Sequence, residues 1–116
     1  MSPTIVLEGG RVVLALGASG GTDIPAVELQ VLLARLAFDE PLERAVSERR
    51  FYPGSALPTL RLDDGWSERE LAELAWRGER TAKMTGTGIG VQAVENAPSG
   101  ARAAADPRKS GLGLTR

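Results

Sequence analysis

The 116-residue chain contains no cysteine and no histidine. The first absence excludes disulfides and thiolate chemistry. The second excludes a Ser-His-Asp triad and any histidine-based metal centre. There is no basic surplus either: 14 Lys and Arg stand against 15 Asp and Glu, a formal net charge of -1. A nucleic-acid partner is therefore not expected, because no excess of cations exists to release phosphate counterions. No apolar run approaches the ~20 residues that a membrane helix needs. The N-terminus lacks the basic-then-apolar layout of a secretion signal. In a fragment, that lack says nothing about compartment. What remains is the composition of a globular chain, 42% hydrophobic and 25% charged, with 14 glycines that imply many turns. The length fits one domain or part of one.

The stretch from Val12 to Ile24 organises the rest. Val12-Val13-Leu14-Ala15-Leu16 is an apolar run suited to a strand covered on both faces. Gly17-Ala18-Ser19-Gly20-Gly21 turns the chain, and the two adjacent glycines permit positive φ and a close backbone approach. Thr22 or Asp23 can cap a following helix, and Pro25 suits its first turn. The product is a set of bare backbone N–H groups at the positive end of a helix, a natural seat for negative charge. Taken alone, a glycine turn of this kind is more often purely conformational.

Around this stretch the pattern predicts a layered arrangement of strands and helices. Thr4 to Leu7 and Arg11 to Leu16 read as a hairpin across Glu8-Gly9-Gly10, since adjacent glycines suit a primed turn. A helix from about Pro25 to Phe38 leaves only Glu28, Gln30 and Arg35 for water, which predicts a mostly buried helix. Pro41 opens a shorter helix through Leu42, Ala45 and Val46. Arg49-Arg50-Phe51-Tyr52-Pro53-Gly54 reads as a loop, its arginines being surface charges or partners of a nearby carboxylate. Thr59 to Leu62 is a short strand that stops at Asp63-Asp64-Gly65. Ser67 with Glu70 three residues later forms a capping box, Trp66 can staple onto Leu71, and Gly78 ends that helix. Thr81 to Met84 is a short strand. Gly86-Thr87-Gly88-Ile89-Gly90 precedes a strand instead of linking strand to helix, so a turn or bulge is expected there, not a phosphate loop. Val91 to Val94 and Ala101 to Ala105 are strands around the Asn96-Ala97-Pro98-Ser99-Gly100 turn. Residues 1–116 are read as a single partial domain, with residues 107–116 an irregular tail.

Several of these stretches, in this order, resemble the γ-glutamyltranspeptidases. They are Met1-Ser2-Pro3-Thr4-Ile5-Val6, then Gly17-Ala18-Ser19-Gly20-Gly21-Thr22, and the helix Val27 to Phe38 followed by Leu42-Glu43-Arg44-Ala45-Val46. Gly90-Val91-Gln92-Ala93-Val94 and Ala104-Ala105-Asp106-Pro107-Arg108-Lys109 complete the set. The chain is similar to the C-terminal part of that enzyme's small subunit. The resemblance implies an α/β (α+β) class, specifically a partial αββα sandwich of the N-terminal-nucleophile hydrolase type. It also implies the chemistry: a threonine, exposed by self-cleavage of a precursor, attacks a γ-glutamyl amide such as that of glutathione with its own α-amine as base. The acyl group then passes to water or to an amine. By the family pattern, the backbone N–H groups of Gly20 and Gly21 match the oxyanion hole. No cofactor or metal is implied, and family members are often periplasmic or extracellular.

This chain departs from the full pattern. The family's nucleophile lies upstream of the matching segment, and no threonine here stands in its context. Thr4 and Thr22 read as a strand residue and a cap. The serine pair that holds the substrate's α-carboxylate precedes the Met-Ser-Pro-Thr run, so Ser2 does not inherit that role. Ser19 stands where many bacterial members carry proline, and Arg50-Phe51-Tyr52 departs from the usual Arg-Phe/Leu-His. The chain alone is thus expected to be inactive, with an upstream half as its partner. Two other readings remain open at this point: a non-catalytic binding or assembly module, and a piece of a related acylase.

Overall fold

The computed structural model describes residues 3–53, 58–84, 89–111 and 113. The chain divides into two compact units, one of residues 1–48 with 88–116 and one of residues 49–87. The glycine loop expected at Gly86-Thr87-Gly88 and the last residues of the tail lie outside the described residues.

The first unit is built on a four-stranded sheet in the order β1-β2-β6-β7, every neighbouring pair antiparallel. β1 (Thr4–Glu8) and β2 (Arg11–Ser19) form the expected hairpin, with Gly9 and Gly10 both at positive φ in its turn. The register slips by a bulge between Val6 and Leu7. β6 (Gly90–Ala97) and β7 (Gly100–Ala105) form a second hairpin, and only Pro98 and Ser99 separate them. The turn is thus tighter, and the strands longer, than the sequence pattern suggests.

Between the hairpins come α1 (Ile24–Leu32), a π-helical turn (Leu33–Ala37) and α2 (Leu42–Ser47). The Phe38 amide donates to the Leu33 carbonyl five residues back, which is the wider π spacing. Asp39, at a φ of +53°, then ends the helical run; short polar side chains tolerate that conformation best among non-glycine residues. Val27 and Val31 on α1, and Leu42 and Val46 on α2, are fully buried pairs at four-residue spacing. They cover Leu14, Leu16 and Ala18 of β2 and Val91 and Ala93 of β6, on one face of the sheet. Burying such aliphatic side chains contributes roughly 1.5–3 kcal/mol each.

Two expectations fail here. Among the described residues the strands are not covered on both faces: Ile5 on the edge strand β1 is 63% exposed and Val94 on the inner strand β6 46%, and both lie on the face away from the helices. Nor is the first helix mostly buried. Leu29, Leu33, Leu36 and Phe38 are exposed, whereas Glu28, expected in water, is buried. A helix apolar nearly all round does not announce which stripe meets the sheet; the inner stripe is set by Val27 and Val31, and Glu28 falls within it.

The second unit holds a three-stranded sheet, β3 (Phe51–Tyr52), β4 (Leu60–Leu62) and β5 (Thr81–Lys83), with α3 (Glu68–Trp76) linking β4 to its parallel neighbour β5. Phe51 and Tyr52, expected in a loop, pair antiparallel with Leu62 and Arg61. The Arg50 amide donates to the Asp63 carboxylate and the Asp63 amide to the Arg50 carbonyl, extending that pairing. Arg50 itself is buried. Arg49 grips the Glu70 carboxylate with its two terminal guanidinium nitrogens and lies 4.5 Å over the Trp66 ring.

Candidate functional site

β2 runs to Ser19, whose ladder partner is Gly90 at the start of β6. The chain then leaves the sheet through Gly20 and Gly21 and enters α1 at Ile24. Their φ values are +141° and +104°, conformations that side-chain-bearing residues adopt at a cost of about 1–3 kcal/mol. The space where a Gly21 Cβ would sit is empty, so backbone conformation and not crowding selects glycine. Both residues are exposed. Among the described residues neither the Gly20 nor the Gly21 amide donates a hydrogen bond, whereas the Gly21 carbonyl accepts one from Ile24.

The helix start differs in detail from the expectation. Asp23 occupies the N-cap position, but with α-region angles (φ -84°, ψ 0°) and no side-chain cap bond; Thr22 does not cap either. Pro25 sits in the first turn as anticipated, and that turn carries no acidic residue. The first turn of α1 thus holds no acid beyond the Asp23 cap, and the two amides just ahead of it have no acceptor among the described residues.

Three buried charged groups surround the sheet, and sequence reasoning missed the role of each. Asp106, fully buried, accepts from the amides of Val91 and Arg108 and from the Arg108 guanidinium, while Arg108 also donates to the Glu48 carbonyl. Asp106 thus pins the end of β7 to the start of β6, next to the Ser19 pair. Glu95 accepts a 2.6 Å bond from Arg35 Nε, and this contact raises the arginine's pKa. Glu28 accepts from the Thr4 hydroxyl at 3.1 Å. Thr4 is thus placed as a strand residue, as its position suggested. The Asp-Pro-Arg run was the available signal for Asp106; nothing in the local pattern marks Glu28 or Glu95. No group of three or more His, Cys, Asp or Glu among the described residues could hold a metal. On the open face of the sheet, a groove of about 400 Å³ passes Pro3, Ile5, Ala15, Gly17, Gln92 and Val94.

Comparison with known proteins gives this geometry a lineage. Residues 1–115 match the sequence model of the family described as Gamma-glutamyltranspeptidase. The chain belongs to that family. It is 30% identical over 109 residues to the glutathione hydrolase proenzyme of Escherichia coli (strain K12), covering 93% of this chain and 19% of that relative. The corresponding proenzyme of Bacillus subtilis (strain 168) is 32% identical over 80 residues, 69% of this chain and 14% of the relative. This γ-glutamyltranspeptidase-family chain therefore spans less than a fifth of the curated relatives it matches. Among solved structures, the γ-glutamyltranspeptidase from Pseudomonas nitroreducens complexed with L-DON matches with a TM-score of 0.87 at 31% identity, over 98% of this chain and 61% of that one. The fold is α+β, part of the αββα sandwich of the N-terminal-nucleophile hydrolases, and the chain is a γ-glutamyltransferase-like segment. No helix among the described residues is long and apolar enough to cross a membrane.

Proposed function

We propose that this chain supplies the oxyanion-stabilising part of an enzyme that hydrolyses or transfers the γ-glutamyl group of glutathione and related amides. An upstream half contributes the threonine nucleophile, whose hydroxyl attacks the γ-carbonyl carbon. As the C–O bond forms, the carbonyl oxygen takes up negative charge, and the Gly20 and Gly21 amides donate to it. Collapse of the tetrahedral intermediate expels the amine, which takes up a proton, and leaves a γ-glutamyl ester on the threonine. Water or an acceptor amine then adds to the same carbon, again through an oxyanion over the same two amides; collapse breaks the ester C–O bond, and the threonine oxygen leaves with the proton that the water or amine gives up. Donors fixed in advance by the backbone need no reorganisation as charge develops.

The observation that carries this reading is the pair of exposed, positive-φ glycines whose amides have no acceptor among the described residues, directly ahead of a helix start. The family supports it: the relatives in Escherichia coli and Bacillus subtilis are named glutathione hydrolase proenzymes, and a proenzyme is what self-cleavage requires.

The test is reconstitution. The chain is co-expressed with the part of the Escherichia coli relative that it does not match, and release from a γ-glutamyl anilide is followed. Activity is expected in the combination and not in the chain alone. Failure of every such combination, with soluble and associated partners, would remove the proposal.

A further inference from the structure

Glu28 lies beside Val27 and one turn before Val31, the two fully buried valines that fix the inner stripe of α1. Its side chain is carried under the sheet, where Oε2 accepts from the Thr4 hydroxyl at 3.1 Å. The other oxygen, Oε1, is buried and has no hydrogen-bond partner among the described residues. A carboxylate taken out of water normally has its lone pairs satisfied, because an unmatched buried acceptor is strongly unfavourable. Thr4 belongs to β1, and among the described residues β1 is an edge of the four-stranded sheet, paired on one side only. Beside it Ile5 and Leu7 are 63% and 60% exposed. An open ladder, two exposed apolar side chains and an acceptor without a donor therefore meet at one strand. The Pseudomonas nitroreducens chain also continues past the part this one matches, which is 61% of it.

We infer that Glu28 and the open edge of β1 are a recognition seat for a strand of the upstream half, and that this strand brings an arginine or lysine to Glu28 Oε1. The inference rests on the reading of the chain as one half of a two-part enzyme, and it names the contact by which the halves recognise each other. A cation is the chemistry required, since a charged donor forms the strongest match to a buried carboxylate. Pairing along β1 would cover Ile5 and Leu7 at the same time and remove the exposed edge.

The test uses the polypeptide encoded directly upstream of this chain, with two variants, Glu28→Val and Glu28→Gln. Melting of the 116-residue chain alone and its dissociation constant for the upstream half are both measured. Removing a half-satisfied buried charge is expected to raise the melting temperature of the lone Glu28→Val chain. The same change should weaken association at least about tenfold, because the partner's cation is then buried unpaired. Glu28→Gln, which keeps the shape and an acceptor oxygen, should fall between. A merely structural glutamate gives the opposite pattern, a lower melting temperature and unchanged affinity, and that result overturns the inference. If the wild-type halves associate but Glu28→Val binds as tightly, the seat is wrong while the two-part reading stands. If no upstream half exists or binds, both fall together.

Discussion

At the start of α3, Ser67 accepts from the Glu70 amide while the Glu70 carboxylate accepts from the Ser67 amide, and Glu68 and Glu70 place two acids in the first turn. The helix's other end is closed as thoroughly. The Gly78 amide donates to Ala75 and the Glu79 amide to Leu74, with Gly78 at a φ of +87°. This is the Schellman arrangement, in which orphan carbonyls are satisfied by the residues after the helix. At the start of α1 there is no side-chain cap bond, no acid in the first turn, and a glycine pair whose amides have no acceptor among the described residues. One helix consumes its terminal polarity in holding itself together; the other leaves it available. The difference separates a helix whose terminal groups are bonded within the chain from one preceded by two glycine amides with no acceptor among the described residues.

Two glycine substitutions would break or confirm that contrast. Gly21 and Gly78 both have positive φ, +104° and +87°, and a Cβ at either would meet nothing within 4 Å. Alanine is therefore strained by backbone conformation at both sites and by crowding at neither. Each change should destabilise the chain by about 1–2 kcal/mol, read from denaturant melts. In the reconstituted enzyme, Gly21→Ala should also lower kcat about a hundred- to a thousandfold, the loss typical of a misplaced oxyanion donor. Gly78→Ala should leave kcat close to wild type. Equal losses of kcat for the two variants would mean that Gly21 matters only for folding.

A cap deletion is the next effect in size. Ser67→Ala removes the acceptor for the Glu70 amide and should destabilise by about 1 kcal/mol. Thr22→Ala at α1 should fall well below that, because Thr22 makes no cap bond there. A clear loss at Thr22 would mean that the α1 terminus is more closed than its geometry indicates.

These two helices also show what the residues disclosed in advance and what they withheld. The capping box, the terminating Gly78, the Gly9-Gly10 hairpin and the Gly20-Gly21 turn were all legible, because each depends on a short local constraint that a few residue types satisfy. The inner face of α1 was not. Leu29, Leu33, Leu36 and Phe38 are as apolar as Val27 and Val31, yet exposed, since no described element covers them. Periodicity reports that a stripe exists; only the neighbouring layer decides which stripe is inside. The same reason hid the open face of β2 and the burial of Glu28. The short pairing of Phe51-Tyr52 with β4 was hidden too, because it is set by Asp63, more than ten residues away, bonding back to Arg50.

The smallest effect is a pH dependence confined to the closed helix. Glu70 is held down to about 2, from an ordinary value of 4.5, first by its hydrogen bonds with Arg49 and then by the Ser67 hydroxyl and amide. A carboxyl whose folded pKa is depressed stabilises the fold in its charged form. That contribution is complete above about 4.5 and is lost as the pH falls towards about 2. Melting temperature followed between these limits should fall more steeply for the wild type than for Glu70→Gln, whose side chain does not titrate. Salt should flatten the wild-type slope, since the Arg49 pair is only partly buried. Parallel slopes for the two chains would show that Arg49 and Ser67 do not depend on the charge of Glu70, and the closed end of α3 would then rest on geometry alone.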